Sequence, residues 1–414
     1  MNIKSSYIIC VFLVFIMFSH ASISEGAESE LKSSVVVSEE YTDNIFLADK
    51  DKKDDYITRV RPNITFDYNS PLWQWNLSYT LDYRIYAKNS KQEDPTHILN
   101  GMTNIALIKN FFFVKVKDDY RRVSLSATRD YTKESLFVNQ SDRNKLDLNP
   151  YFLIALDPAV KLTTGYIYSN IWYKEKNGID KTDNIGYVAL DVDLSRKIVL
   201  TPGYRYIQEN SGVDAQDFNA QDIFLGARYE YWEKSNIYFK VGYGQVDFKE
   251  KDTYRAMYWD AGITHTLNTT RISLKTGRSY DENPTGNPLV KDSYRLSIAD
   301  ERKRTTISLS AFLSRYTDTV TKDLTNVTYG TSGYIRYALT PRLSGKIDGT
   351  FDRYERKLKD TYTRRYIAGL RFDYTILENF SLALAYRYTD SYSPGISGDN
   401  YRSNRATVEI KKVF

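Results

Sequence analysis

Apolar and polar residues alternate with period two along most of this chain, most plainly at its C-terminal end. Phe380, Leu382, Leu384, Tyr386 and Tyr388 alternate with Ser381, Ala383, Ala385, Arg387 and Thr389. After a loop from Ser393 to Asp399, Ala406, Val408 and Ile410 alternate with Arg405, Thr407, Glu409 and Lys411, and the sequence ends on Phe414. Period two sends successive side chains to opposite faces of a strand. One face is then apolar with aromatic ends and the other is charged. Two such strands, one tight turn and one long loop form the hairpin unit of a transmembrane β-barrel.

The unit repeats. Tight turns are expected at Ser70-Pro71, Lys109-Asn110, Asp157-Pro158, Arg196-Lys197, Glu233-Lys234, Asn268-Thr269, Arg302-Lys303, Thr340-Pro341 and Leu377-Glu378. They recur at intervals of roughly 37 residues, with one interval of roughly 48 between Lys109 and Asp157. A propeller blade has a similar period but holds four short strands, whereas each period here holds two long ones. Nine short turns between ten hairpins predict an all-β, antiparallel up-and-down barrel of about twenty strands, with eighteen as the alternative if the first or second hairpin is surrendered. Longer polar loops are expected on the other side, at Ala48–Asp55, Asn89–Thr96, Asn139–Asp142, Lys176–Asp180, Asn210–Asp217, Glu282–Lys291 and Lys357–Asp360. Short turns belong to the periplasm and long loops to the cell exterior.

Composition fits this reading. A mean hydropathy of −0.51 is low for a membrane protein, but it is expected where only alternate residues meet lipid. The 36 tyrosines suit interfaces that are apolar on one side and wet on the other. The one long apolar run, Tyr7–Phe18, follows Lys4 and precedes Ser19-His20-Ala21, which reads as a signal peptide over 1–21, too short for a spanning helix. A short segment 22–33 and a barrel over 34–414 follow, the first strand opening at Val35-Val36-Val37, with no plug domain expected before it. The only cysteine, Cys10, lies in the leader, so neither disulfides nor thiolate metal sites are expected. An exported, strand-rich chain of this kind points to the outer membrane of a Gram-negative bacterium, with outer-membrane lipid, lipopolysaccharide and the barrel-assembly machinery as partners.

Alternation also names the residues expected to face the lumen: Arg59, Arg61, Asp82, Arg84, Asp191, Asp193, Arg205, Arg228, Glu230, Asp260, Arg336, Asp348, Arg371 and Arg387. Both signs are mixed, and Tyr258 and Tyr334 sit among them. Nothing in the sequence is long enough to form a plug, so side chains alone are expected to set the bore, with the loops around Glu282–Lys291 and Ala48–Asp55 at most folding inward. A near balance of arginine and aspartate in a wide bore predicts weak ion selectivity. The functional reading is a hydrated passage for polar solutes, and the bland reading is a set of ion pairs that satisfy one another. Phe414 is the candidate assembly signal, and Lys412, placed where an apolar residue would be preferred, can snorkel at the membrane rim.

The first hairpin carries a resemblance. Glu39-Glu40-Tyr41-Thr42-Asp43-Asn44-Ile45-Phe46-Leu47, a charged loop and Asp55-Tyr56-Ile57-Thr58-Arg59-Val60-Arg61-Pro62 resemble the opening of the β-barrel porin 2 family, particularly the outer-membrane proteins of exosortase (PEP-CTERM) systems. The resemblance implies an outer-membrane barrel associated with exopolysaccharide production, with exopolysaccharide or its export complex as a partner. In itself, Tyr41-Thr42-Asp43-Asn44 reads as a strand end closed by an Asx-type turn.

Other chemistries find little. Of three histidines, His20 is in the leader, while His97 and His265 are expected at opposite ends of the barrel. His97 shares a loop with Asp94, but a Ser-His-Asp unit needs mutual contact, and there is no GxSxG, HExxH or P-loop. Asp49, Asp51, Asp54 and Asp55 lack the glycine and spacing of a calcium loop. No cofactor, no metal, no enzyme activity and no nucleic-acid partner is expected. A porin-like pore leads, and a scaffold barrel of an envelope secretion complex is the alternative.

Overall fold

The computed structural model describes residues 27–414 apart from 89, 91–94, 134, 136–137, 214–215, 251 and 395–398, so the expected leader and Asp94 lie outside the described residues. Twenty strands follow one another in the chain. The first ten are β1 (Glu28–Thr42), β2 (Asp55–Asn69), β3 (Trp73–Tyr86), β4 (Thr96–Ile108), β5 (Phe112–Ser124), β6 (Gln140–Asp157), β7 (Val160–Tyr173), β8 (Lys181–Ser195), β9 (Ile198–Ser211) and β10 (Phe218–Trp232). The rest are β11 (Ser235–Phe248), β12 (Tyr254–Leu267), β13 (Thr270–Asp281), β14 (Leu289–Glu301), β15 (Thr305–Asp318), β16 (Leu324–Ala338), β17 (Leu343–Arg356), β18 (Thr361–Leu377), β19 (Phe380–Tyr392) and β20 (Tyr401–Val413). Each pairs antiparallel with its neighbours, and β20 pairs with β1, so the sheet closes.

Lipid offers no hydrogen bonds, so a membrane sheet must satisfy every backbone group within itself. The closing seam runs from Ser34↔Val413 to Thr42↔Arg405. Side chains of the first hairpin reinforce it from above. The Asp43 carboxylate accepts from the Asn404 backbone N–H (2.7 Å) and its Nδ2 (2.6 Å). Asn44, fully buried, donates to Arg402 O (2.9 Å) and Ala48 O (2.7 Å) and accepts from the Ala48 N–H (2.8 Å). In place of the expected Asx turn, Thr42 Oγ1 accepts from the N–H two residues on, that of Asn44 (3.3 Å), while the Asn44 side chain reaches four residues on and ties the first loop to the last strand.

Following the register once round the wall returns to β1 with an offset of about 26 residues, which for twenty strands gives a tilt of about 45° and a backbone radius of about 20 Å. All nine tight turns fall where alternation places them. Paired residues share a face, and one face carries Leu31, Ile64, Ile223, Leu309, Ile347 and Leu384, all exposed and apolar as a lipid-facing surface must be. Several boundaries differ from the sequence reading, with Asp55, Thr96 and Asn210 falling within β2, β4 and β9. The first strand begins at Glu28 and not at Val35, because its lower part pairs with β2 down to Asn69 and extends below the seam. Gln140–Asp142 belong to β6, and the loop lies upstream over 125–139. Lys291 is already within β14.

Leu382 is outward on β19, in register with Ile410 and Tyr374. Leu382→Arg should cost about 2–4 kcal/mol near the midplane. Assembled, heat-modifiable barrel in the outer-membrane fraction should fall accordingly, while unchanged levels would mean that this face does not meet lipid.

Candidate functional site

The inner wall is set by the other half of each strand. By register, all fourteen residues expected in the lumen share the face opposite the apolar one. The structure draws some of them together. Arg59 Nε and Nη2 donate to both oxygens of Asp82 (3.1 and 2.7 Å), and Arg84 Nη2 joins the same carboxylate at 2.5 Å. Arg61 and Arg371 hold the two oxygens of Glu409, at 2.6 and 2.9 Å, and Arg371 also reaches Asp373 at 2.8 Å. This second network joins β2, β18 and β20 across the seam. Arg205 pairs with Asp222 and Lys346 with Asp348 (3.4 Å).

Others stand apart. Asp191 accepts from the Thr201 hydroxyl (2.6 Å), Asp260 from Tyr238 (3.1 Å), and Arg336 donates to Ser344 (3.1 Å). Arg228 and Glu230 are 4.0 Å apart near the periplasmic end of β10, and Asp193 lies near the same end of β8. Arg387 faces Arg405 in register. His97 and His265 lie at opposite ends of their strands and bond tyrosines, Tyr79 (2.8 Å) and Tyr231 (3.0 Å).

Side chains do not set the bore alone. The first part of the β5–β6 loop turns inside the barrel, where Ser126, Thr128, Arg129, Asp130 and Thr132 line a cavity of about 1150 Å³ together with the walls of β9 and β11–β19. Two sets of contacts hold it there. Its base is pinned locally, with Ser124 Oγ donating to Arg129 O (2.8 Å) and Gln140 Nε2 to Ser135 O (2.9 Å) and Tyr131 O (3.2 Å). Its tip is pinned across the bore. Arg129, 4% exposed, meets Asp399 of the β19–β20 loop at 2.8 Å and stacks on Tyr131 (4.5 Å) and on Tyr354 of β17 (5.5 Å). Asp399 also accepts from Thr363 (2.8 Å) and Arg356 (2.9 Å).

Burial pushes the Asp399 carboxyl up, but Arg129, Thr363 and Arg356 outweigh it and hold the group below the ordinary aspartate value. A second loop contributes at the mouth. Glu282 accepts from Tyr173 Oη (2.5 Å) and approaches Arg143 (3.6 Å), and the Ile179 N–H donates to Pro284 O (2.8 Å). The region around Glu282 thus folds inward as the sequence allows, while the loop of the first hairpin is tied to β20.

The inward β5–β6 loop was missed because its anchor, Asp399, is remote in sequence. One signal was present: the period holding it is roughly ten residues longer than its neighbours. Charge also sorts in a way that alternation does not reveal. The wall as a whole mixes signs, yet the cavity is lined by eleven arginines and lysines against four aspartates.

No family model matches the sequence, and no curated protein does. Solved structures do match. The siderophore receptor PirA from Pseudomonas aeruginosa is 12% identical with a TM-score of 0.51, over 93% of this chain and 80% of its own. A mutant of the ferric enterobactin receptor PfeA from the same organism is 9% identical with a TM-score of 0.51, over 94% and 81%. The outer membrane protein opdK, again from Pseudomonas aeruginosa, is 10% identical with a TM-score of 0.45, over 93% and 98%. Two of these neighbours are receptors and the third an outer membrane protein, and at such identities the fold is what this chain shares with them.

Arg129→Ala should free the loop tip and raise single-channel conductance in planar bilayers, with the barrel still folded. Because the folded pKa of Asp399 is depressed, the tether is fully present above the ordinary aspartate value near 3.8 and is lost as pH falls through the lower folded value. Wild-type conductance should therefore rise only below that window, and Arg129→Ala should lack the step. Identical pH profiles in the two proteins would sink the tether.

Proposed function

We propose that this protein forms a water-filled passage for small polar solutes across the outer membrane of a Gram-negative bacterium. The observation that carries the reading is the tethered loop inside a closed wall. A barrel about 20 Å in backbone radius is wide enough for an aqueous channel, and the 125–139 loop narrows it to a charged cavity without filling it. The buried contacts at the loop tip favour a fixed constriction over a swinging lid.

Ion pairs such as Arg59–Asp82 and Arg61–Glu409 stiffen the wall around that space. Tyr258, Tyr354 and Phe312 add ring faces to the cavity lining, which suit sugars as well as other hydroxylated solutes. The exopolysaccharide link implied by the first hairpin fits this reading as a source of such solutes, and flanking glycosyltransferase or exosortase genes would favour it. Reconstitution tests the reading directly. Purified barrel in planar bilayers should give discrete conductance steps. Silent bilayers containing heat-modifiable, folded protein would favour the scaffold instead.

A further inference from the structure

Within the cavity, cations gather on one arc of the wall at similar depth. Lys240 on β11, Lys275 on β13 and Arg295 on β14 all line it. Lys275 and Arg295 are direct register partners on neighbouring strands, so two like charges stand side by side on the inner face. Like charges directly opposite one another destabilise a sheet. Elsewhere on this wall, buried arginines are matched: Arg365 with Asp352, Arg59 with Asp82. Here they are not. Among the described residues no carboxylate lies within ion-pair distance of Lys240, Lys275 or Arg295; Asp260, the register partner of Lys240, accepts instead from Tyr238 Oη at 3.1 Å. Across β12, the register partner of Lys275 is Gly262, which presents no side chain to it.

Aromatic faces support the cations without neutralising them. Lys240 Nζ lies 3.6 Å from the centre of the Phe224 ring, and the Arg295 guanidinium lies 5.8 Å from that of Phe312. Cation–π contact orients a charge but leaves its hydrogen-bond donors available. Ser310 and Ser332, their hydroxyls 2.9 Å apart, line the same cavity. The site thus combines unmatched donors, ring faces and hydroxyls inside the narrowed lumen.

We propose that Lys240, Lys275 and Arg295 form a binding step for small hydroxylated carboxylates, the chemistry of an acidic sugar, and that the passage prefers anions. This deepens the proposed function and rests on it. The weak selectivity expected from overall charge balance then does not apply, because the opposite charges on the rest of the wall are largely consumed in pairs. Arginine supplies a two-pronged contact to a carboxylate, the lysines add point charge, and the rings pack against the carbon skeleton. Salt screens the step, so selectivity should weaken as ionic strength rises.

Reversal potentials in a potassium chloride gradient should show anion preference at low salt. Glucuronate should block chloride current where glucose, of similar size but uncharged, does not. Lys275→Gln with Arg295→Gln should remove the preference and weaken glucuronate block roughly tenfold or more, the loss expected for two charge-assisted bonds. Heat-modifiable migration checks that the double variant folds. Cation preference in the wild type, equal block by glucose, or block unaffected by the double substitution would each overturn the proposal. Titration calorimetry of glucuronate into detergent-solubilised barrel separates the two readings. Binding by protein that gives silent bilayers would keep the site and remove the passage, whereas conductance without binding would keep the passage and remove the site.

Discussion

Everything in this molecule depends on closing the backbone hydrogen-bond ladder where no water is present to substitute for it. An open sheet edge in lipid would leave a row of donors and acceptors unmet, each at a cost of several kcal/mol. The chain meets that condition by pairing β1 with β20, and it gives the seam more than ladder bonds. Asp43 and Asn44 fasten its upper end, and Glu409 gathers Arg61 and Arg371 across its inner side. Once the seam is set, strand number and register fix tilt and radius. The wide bore is thus a consequence of closure.

That bore creates the need for the inward loop. A wall of twenty strands cannot fill its interior with side chains, so a narrower path requires main chain inside the lumen. The β5–β6 loop provides it through Ser126 to Thr132, and one arginine anchors the tip. Arg129 is almost wholly buried, where an uncompensated charge would cost several kcal/mol. Its position is therefore specified by Asp399 on one side and two tyrosine rings on the others. Tether and cavity are parts of one arrangement, since the surface that holds the loop also bounds the space that it leaves.

Much of this was legible because lipid and water on opposite faces impose strict period two. Leu343, Ile347 and Phe351 against Lys346, Asp348 and Asp352 could form only a two-faced strand, and the turns that punctuate such runs located all twenty. Legibility faded wherever that physical contrast faded. Glu28-Ser29-Glu30 extend β1 beyond the seam with little apolar content, so the alternation that marks Val35 and Val37 is absent there. The 125–139 loop is polar like any surface loop, and nothing local distinguishes a loop that turns in from one that turns out. Faces could be read, but partners could not. Arg59 and Lys275 look alike in sequence, and each has an arginine as a register partner, yet Arg59 also reaches the diagonal carboxylate of Asp82 and Lys275 reaches none.

The central claim is that the two faces of this wall meet different media and that one of them is a wet, electropositive lumen. Single cysteines read this directly, since the only cysteine of the sequence, Cys10, lies in the expected leader. Ser310→Cys and Ser332→Cys place thiols on the cavity lining, and Leu309→Cys places one on the adjacent outward position. In reconstituted membranes, a membrane-impermeant sulfonated thiol reagent should modify positions 310 and 332 and cut the current. It should react there faster than its trimethylammonium counterpart and should leave position 309 untouched. Equal labelling of all three positions, or labelling at 309 alone, would contradict the account.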